Sequence, residues 1–374
     1  MTERFRAAWV EIDLGAVRDN ITALRRVAAP AAILAVVKAD GYGHGAVPVA
    51  RAALDAGATW LGVALVEEGV ALREAGIDAP ILVLSEPAPD AAATVVAHRL
   101  TPVVYTPGGI DTLAKAVVDS GTDEPLAVHL KVDTGMHRVG IAPAEAVRLA
   151  QRVGERTELV LGGVCTHFAV ADEPDDPYTA EQLARFHAVL ADLEAAGVRP
   201  PLVHAANSAG LLAFPAARFD LARVGIAIYG IPPAPELADR AELRPALSLK
   251  ARVSHVKHLE AGSRLSYGLR YELARAGWIA TVPIGYADGV PRNLAEVGGE
   301  VIVGGRRRPV AGTVTMDQLR VDLGSDEAAV GDEVVLIGRQ GQAEVTAQEW
   351  AERLGTIAYE IVCGIGPRVP RRYH

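Results

Sequence analysis

Residues 33–45 read Ile33-Leu-Ala-Val-Val-Lys-Ala-Asp-Gly-Tyr-Gly-His-Gly45. Five apolar residues without polar alternation describe a strand buried on both faces, as in a parallel sheet. The strand ends on a lysine, Lys38, and opens into a glycine-rich loop. Apolar walls destabilise an ammonium and lower its pKa, which frees the amine to form a Schiff base with an aldehyde cofactor. The ordinary reading of a lone lysine here is that it snorkels to the mouth of the fold or pairs with Asp40.

Working outward, the same texture recurs at Trp60 to Ala64, Ile81 to Leu84, Pro102 to Tyr105, Leu126 to Val132, Val160 to Thr166, Leu202 to Ala206 and Val224 to Tyr229. Between these runs lie helical patterns, such as Leu14, Val17, Ile21 and Leu24, or Leu183, Phe186, Leu190 and Leu193. About eight such units in about 220 residues is the count of a (β/α)8 barrel, and periodicity alone also allows a doubly wound open sheet. Lys38, Asp133, His167 and Asn207 each follow directly on a strand, the end where a barrel gathers its active site. The fold class expected is therefore α/β, an N-terminal (β/α)8 TIM-type barrel.

After Pro232-Pro233-Ala234-Pro235 the chain becomes Val-rich and Gly-punctuated, with candidate strands at Ser248 to Val256, Ile279 to Ile284, Glu300 to Val303, Val310 to Thr315 and Glu333 to Ile337. This predicts a smaller, mainly-β C-terminal domain. The division expected is a barrel over 1–240 and a β domain over 241–374.

A length of 374 residues suits a large and a small domain, and 50% hydrophobic with 22% charged residues is the balance of a packed protein. The net charge of -9 argues against a general grip on nucleic acid, which needs clustered Lys and Arg. Arg306-Arg307-Arg308, the one short basic cluster, reads as a solvated hairpin turn. Cys165 and Cys363, far apart, support neither a disulfide framework nor a cysteine zinc site, and no metal is expected. With no signal-peptide core and no run of about 18 apolar residues, the expectation is a cytoplasmic protein without a membrane partner.

Further motifs give these residues a context: Lys131-Val-Asp-Thr-Gly-Met-His-Arg-Val-Gly140, Thr166-His-Phe-Ala169, His204-Ala-Ala-Asn-Ser-Ala-Gly210, Ala222-Arg-Val-Gly-Ile226, Ser266-Tyr-Gly268, Pro283-Ile-Gly-Tyr-Ala-Asp-Gly289, Met316-Asp-Gln318 and Ala358-Tyr-Glu360. Together with Ala35 to Gly45, and in this order, they resemble the alanine racemases over nearly the whole length. The resemblance implies a pyridoxal 5'-phosphate enzyme interconverting L-alanine and D-alanine, supplying D-alanine for peptidoglycan or related biosynthesis. By the same resemblance Lys38 carries the cofactor and is one base, and Tyr267 is the other.

The resemblance also implies that Tyr42, Ser208, Tyr359 and the backbone amides of Gly225 and Ile226 hold the cofactor phosphate, with His167 and Asn207 in the same site. Arg223 matches the residue facing the pyridine nitrogen. An arginine only donates, so it keeps that nitrogen unprotonated and weakens the electron sink, which suits an enzyme that merely moves a proton. A hydrogen-bond chain Tyr267, His167, Arg223 is implied, and helps a tyrosine of free pKa about 10 act as a base. Alone, His167 would read as an ordinary hydrogen-bonded histidine at a strand end.

Arg138 matches the arginine near the substrate carboxylate, and Lys131 the lysine that is carbamylated in several members. Met316, Asp317 and Tyr286 match residues of the substrate entrance. Tyr267, Tyr286 and Met316 enter from the partner subunit in the family, which implies a head-to-tail homodimer. Leu269 and Arg270 after Tyr267-Gly268, His137 in place of a frequent Gly, and Thr315 in place of Cys or Ser depart from the common pattern. They bear on entrance shape and substrate range.

Three alternatives remain. A non-catalytic pyridoxal-phosphate-binding protein would share the barrel and lysine but not the C-terminal 130 or so residues with Tyr267, Tyr286 and Met316. A serine or broad-specificity racemase would share everything. A decarboxylase of basic amino acids would place a glutamate where Arg223 stands and would bring a catalytic cysteine motif that this chain lacks.

Overall fold

The computed structural model describes residues 5–374. The chain divides into two compact units. One comprises Ala16–Gly41 and Ala46–Arg244, the other the residues up to Gly15, Tyr42–Gly45 and Pro245–His374.

The first unit is an eight-stranded parallel barrel. Its strands are Ala32–Val36, Trp60–Val63, Ile81–Val83, Thr101–Val104, Leu126–Lys131, Leu159–Cys165, Leu202–His204 and Leu221–Val224, each paired with its sequence neighbour up to the seventh. The eighth pairs with the first, from Ala32↔Leu221 to Ala35↔Val224. Backbone N–H groups of Asp220 and Arg223 donate to Val203 O (3.0 Å) and Ala206 O (2.9 Å), which joins it to the seventh and closes the ring. Most apolar strand residues are buried, Val160 being an exposed exception, because the barrel packs side chains inside and helices outside. Helix Leu14–Ala28 buries Val17, Ile21 and Leu24, and helix Tyr178–Ala195 buries Phe186, Val189 and Leu193.

The last expected strand is displaced. The sequence pattern predicts a strand over Val224 to Tyr229, whereas the strand is Leu221–Val224 and Ile226–Tyr229 forms a 3-10 turn. Both segments are buried and, Arg223 apart, apolar, so hydrophobicity could not separate them. Gly225, at φ -105° and ψ -101°, marks the break.

In the second unit one sheet runs in the order Arg306–Pro309, Glu300–Val303, Glu333–Gln340, Leu247–Arg252, Ala8–Ile12, Arg371–Tyr373, with Ala343–Val345 paired to Glu333–Gln340. Ala8–Ile12 pairs antiparallel with Leu247–Arg252 and parallel with Arg371–Tyr373, so this N-terminal strand belongs to the β unit. A second sheet holds His255–Leu259, Gly277–Val282 and Leu319–Gly324. The expected strand Ser248 to Val256 is thus two strands in two sheets. Val310 to Thr315 is irregular beyond a single bridge from Val310 to Val321, with Gly312 at φ +75°.

The basic tract is a strand, not a turn. Gly304 and Gly305, at φ +60° and +72°, make the hairpin turn, as mirror-image two-residue turns require. Each guanidinium then finds a carboxylate: Arg306 and Arg308 on Asp326, Arg307 on Glu300 and Glu349.

Asn20, fully buried on the first barrel helix, donates to Ile228 O (3.1 Å) and Arg244 O (2.9 Å) and accepts from Arg244 N (2.8 Å). Asn20→Leu strands those three backbone groups, and each unsatisfied buried group costs about 1–3 kcal/mol. A loss of about 2–4 kcal/mol in urea unfolding is expected; a loss below about 0.5 kcal/mol would mean that these bonds are not what ties the segment around residues 228–244 to the first helix.

Candidate active site

Lys38, Lys131, His167, His204 and Arg223 all lie at or just past the C-terminal ends of barrel strands. His167 is held neutral, well below the usual imidazole range, by burial and then by the charges of Arg223, Lys131, Arg138 and Lys38. The charges of four cations therefore act on one half-buried ring at the end where barrels bind ligands. Among the described residues no carboxylate pairs with Arg223.

Arg223 is 6% exposed. Its Nη1 donates to His204 Nδ1 (2.8 Å), and its Nη2 to Thr166 O (2.7 Å), Ala205 O (2.9 Å) and His167 Nδ1 (3.1 Å). A guanidinium has no acceptor, so both imidazoles accept at Nδ1 and carry their proton on Nε2. His204 Nε2 then donates to His129 Nδ1 (2.8 Å), which places the His129 proton on Nε2 as well. His129 is pulled down to about 4 by burial and by Arg223, and His204 well below its ordinary value by the same two causes. Gly163 makes room for this ring, since a Cβ there would lie 2.8 Å from His129 Cε1 and Nδ1.

Lys131, the last residue of its strand, is buried and pulled down to about 8 by that burial, with Arg223 and Arg138 adding to the effect against Cys165 and Asp133. Burial of Asp133 would raise its carboxyl, but N–H donors of His137 and Gly135, both at 3.0 Å, hold it below the usual range. His137 sits at φ +55°, a backbone conformation that favours glycine and in which histidine is one of the better-tolerated substitutes. Arg138, exposed, follows it.

Asn207 caps the short helix Ser208–Ala213, accepting from Gly210 N (2.8 Å). Ser208 Oγ, buried, accepts from Gly225 N (3.0 Å) and Ala227 N (3.4 Å), so the turn carrying Gly225 and Ile226 is fixed against it.

The β unit carries the other expected residues. Tyr42 and Tyr359 stack at 5.9 Å between centroids with a 47° tilt, and burial raises the Tyr42 phenol. Tyr267, Tyr286 and Met316 are 71%, 41% and 52% exposed. Tyr286 N donates to Thr315 O (3.0 Å) and Ala287 N to Met316 O (3.0 Å), while Thr313 Oγ1 donates to Tyr267 O (3.0 Å), so the three sit on adjoining turns. Asp317 is paired with Arg368 (2.6 Å), which also reaches the buried Asp288.

Two family profiles match the chain: Alanine racemase, N-terminal domain, over residues 12–233, and Alanine racemase, C-terminal domain, over 246–373. The chain belongs to the alanine racemase family. It is 53% identical over 371 residues to the alanine racemase of Symbiobacterium thermophilum, covering 98% of this chain and 97% of that one. The crystal structure of alanine racemase from Streptomyces lavendulae superposes with a TM-score of 0.93 at 43% identity, over 100% of this chain and 98% of that one. A histidine racemase from Leuconostoc mesenteroides superposes at 0.89 with 31% identity, over 99% and 98%.

The barrel unit thus gathers Lys38, Lys131, Arg138, His167, Asn207, Ser208, Arg223, Gly225 and Ile226 at its strand ends. The β unit holds Tyr42, Tyr267, Tyr286, Met316, Asp317 and Tyr359. Sequence reasoning missed the roles of His129 and His204. The signal was present in Leu126-Ala-Val-His-Leu-Lys131, where one imidazole interrupts an apolar strand.

Because the three imidazoles are neutral when folded and titrate near 6.5 when unfolded, the unfolded chain takes up more protons below that value. Stability is fully present above about pH 6.5 and falls as pH drops toward the folded values, about 4 for His129, by up to about 1.4 kcal/mol per pH unit per histidine. Nitrogen-15 NMR should find all three as the Nε2–H tautomer at pH 5.5. A protonated His204 at that pH would contradict the Arg223 donor network.

Proposed function

We propose that this chain interconverts L-alanine and D-alanine, using pyridoxal 5'-phosphate held by Lys38. The observation that carries the reading is the convergence of the charges of Lys38, Lys131, Arg138 and Arg223 on His167, with no carboxylate paired to Arg223 among the described residues. Such a donor set fits a ligand bearing a phosphate and a phenolic oxygen, together with a substrate carboxylate. Relatives bearing the name alanine racemase at 53% and 44% identity support the choice of substrate.

When bound, the cofactor withdraws electron density from the substrate Cα, so that its proton can be removed. The chain's own groups do the rest. Ser208 Oγ, already accepting from Gly225, keeps its own proton to donate to the phosphate, with the Ile226 amide, Tyr42 and Tyr359 as further donors, the Gly225 amide holding the Ser208 hydroxyl in place and Asn207 bracing the loop. Arg223 offers N–H groups but no acceptor to the ring nitrogen. Arg138 and the Met316 backbone take the substrate carboxylate, with Asp317 and Tyr286 at the entrance.

Lys131, with its amine near a pKa of about 8, is part neutral at physiological pH, the state that reacts with carbon dioxide. Carbamylation would turn this cation into an anion able to orient Arg138. We assign proton transfer on one face of Cα to Lys38 and on the other to Tyr267. His167, whose Nδ1 is engaged by Arg223, has a proton on Nε2 to donate toward the Tyr267 oxygen, which favours the phenolate.

Tyr267, Leu269, Tyr286 and Met316 form an exposed apolar group unusual on a solvated surface. A head-to-tail homodimer, in which each β domain presents these residues to the barrel of the other copy, accounts for it. Two widely separated thiols fit the reducing cytoplasm, and supply of D-alanine for cell-wall synthesis is the role assigned. The likeness to a histidine racemase favours testing a wider range, serine included, with alanine expected to be fastest.

Lys38→Ala should abolish racemisation, and borohydride should then fix no cofactor to the chain; cofactor trapped on another lysine would refute the assignment. Tyr267→Phe should lose about 10² to 10⁴ in racemisation and still bind cofactor. It should keep exchange of the D-alanine α-proton with solvent deuterium and lose exchange from L-alanine. Equal, near-normal exchange of both enantiomers would remove Tyr267 as a base.

A further inference from the structure

Ser266, immediately before Tyr267, has φ +65° and ψ -174°. This region of backbone space belongs almost wholly to glycine, because a Cβ crowds the neighbouring carbonyl. Gly268 and Leu269, at φ +79° and +50°, continue the unusual turn. A glycine at 266 would take the same path without strain, so the serine hydroxyl needs a reason.

The hydroxyl sits inside a clamp. Arg320 Nη2, from strand Leu319–Gly324, donates to Ser266 Oγ and to Thr313 O (2.9 Å). Ser266 Oγ donates its own proton to the same Thr313 carbonyl (2.5 Å), and Thr313 Oγ1 returns a bond to Tyr267 O (3.0 Å). Gly312 lets the two segments close, since a Cβ there would lie 2.9 Å from Leu265 O and Ser266 Cβ.

Arg320 is a costly residue to keep in this place. Burial lowers its pKa, offset by the charge of Tyr267, its Nε is buried without a partner, and among the described residues no carboxylate pairs with it. A guanidinium retained for stability alone would be expected to find a carboxylate, as Arg306, Arg307 and Arg308 do nearby.

We propose that Arg320 and Ser266 are positioning residues for Tyr267. Their bonds hold a strained turn that fixes the backbone of an otherwise 71% exposed tyrosine, so that its phenol meets the substrate in one orientation. Misplacing an acid or base by about 1 Å can cost about 10²-fold in rate. The proposal rests on Tyr267 acting as the base of one face.

The test uses the holoenzyme and solvent-deuterium exchange at the alanine α-carbon. Racemisation needs both bases and has an equilibrium constant of one, so only exchange reports each face separately. Arg320→Met is expected to slow exchange from L-alanine by about 10- to 100-fold. Exchange from D-alanine and the KM for alanine should stay within about threefold of the parent. Ser266→Gly, which fits the backbone without strain, should show the same one-sided loss, and it carries the test if Arg320→Met does not fold. Arg320→Lys should recover part of the loss, since an ammonium can serve one of the two acceptors.

In a Tyr267→Phe background, Arg320→Met should add no further loss. Equal loss at both faces, a loss that persists in that background, or no loss in either variant would overturn the proposal. Failure of the base assignment is read separately, from Tyr267→Phe alone retaining normal exchange from L-alanine.

Discussion

A buried guanidinium that donates to two imidazoles and, among the described residues, pairs with no carboxylate governs the barrel end of this protein. Arg223 engages His204, His167 and the carbonyls of Thr166 and Ala205. Burying a cation is unfavourable unless its N–H groups are met, and here neutral lone pairs and carbonyl dipoles meet them. The arrangement works only while both imidazoles are uncharged. Burial first and the Arg223 charge second enforce that condition, because each disfavours a positive charge on either ring.

Direction follows from this constraint. Since arginine cannot accept, every bond leaving the hub has its donor and acceptor fixed, through His204 to His129 on one side and to His167 on the other. The outer nitrogen of His167 is left as a donor. Space for the hub is set equally firmly, by Gly163 under His129 and by the tilted ring of Trp60 at 5.5 Å from it.

The two lysines at the strand ends have different surroundings. Lys131 is buried and pulled down to about 8 by that burial, with the charges of Arg223 and Arg138 adding to the effect. Lys38 is half-buried, at the start of a loop in which Ala39, Asp40, Gly41 and Tyr42 all have positive φ. That left-handed run explains the glycine-rich sequence after Lys38, and Asp40 closes it by accepting from Ala46 N (2.9 Å).

The sequence by itself determined the barrel, because strands buried on both faces must be continuously apolar, and a parallel sheet built from them leaves its polar residues at the strand ends. Its resemblance to the alanine racemases named Lys38, Lys131, His167, Arg223 and Tyr267 as the residues to consider. Tertiary structure decided what periodicity cannot express. It made Ile226–Tyr229 a turn, because an apolar buried run is equally compatible with strand and helix. It drew Ala8–Ile12 into the β unit through pairing with strands more than 230 residues away. It turned an arginine tract into a paired strand once distant carboxylates were in reach. Finally, it brought His129, 75 residues away, against His204, and Arg320 against Ser266 across 54 residues. Such contacts depend on where strands stand side by side, and no local pattern in the chain records that.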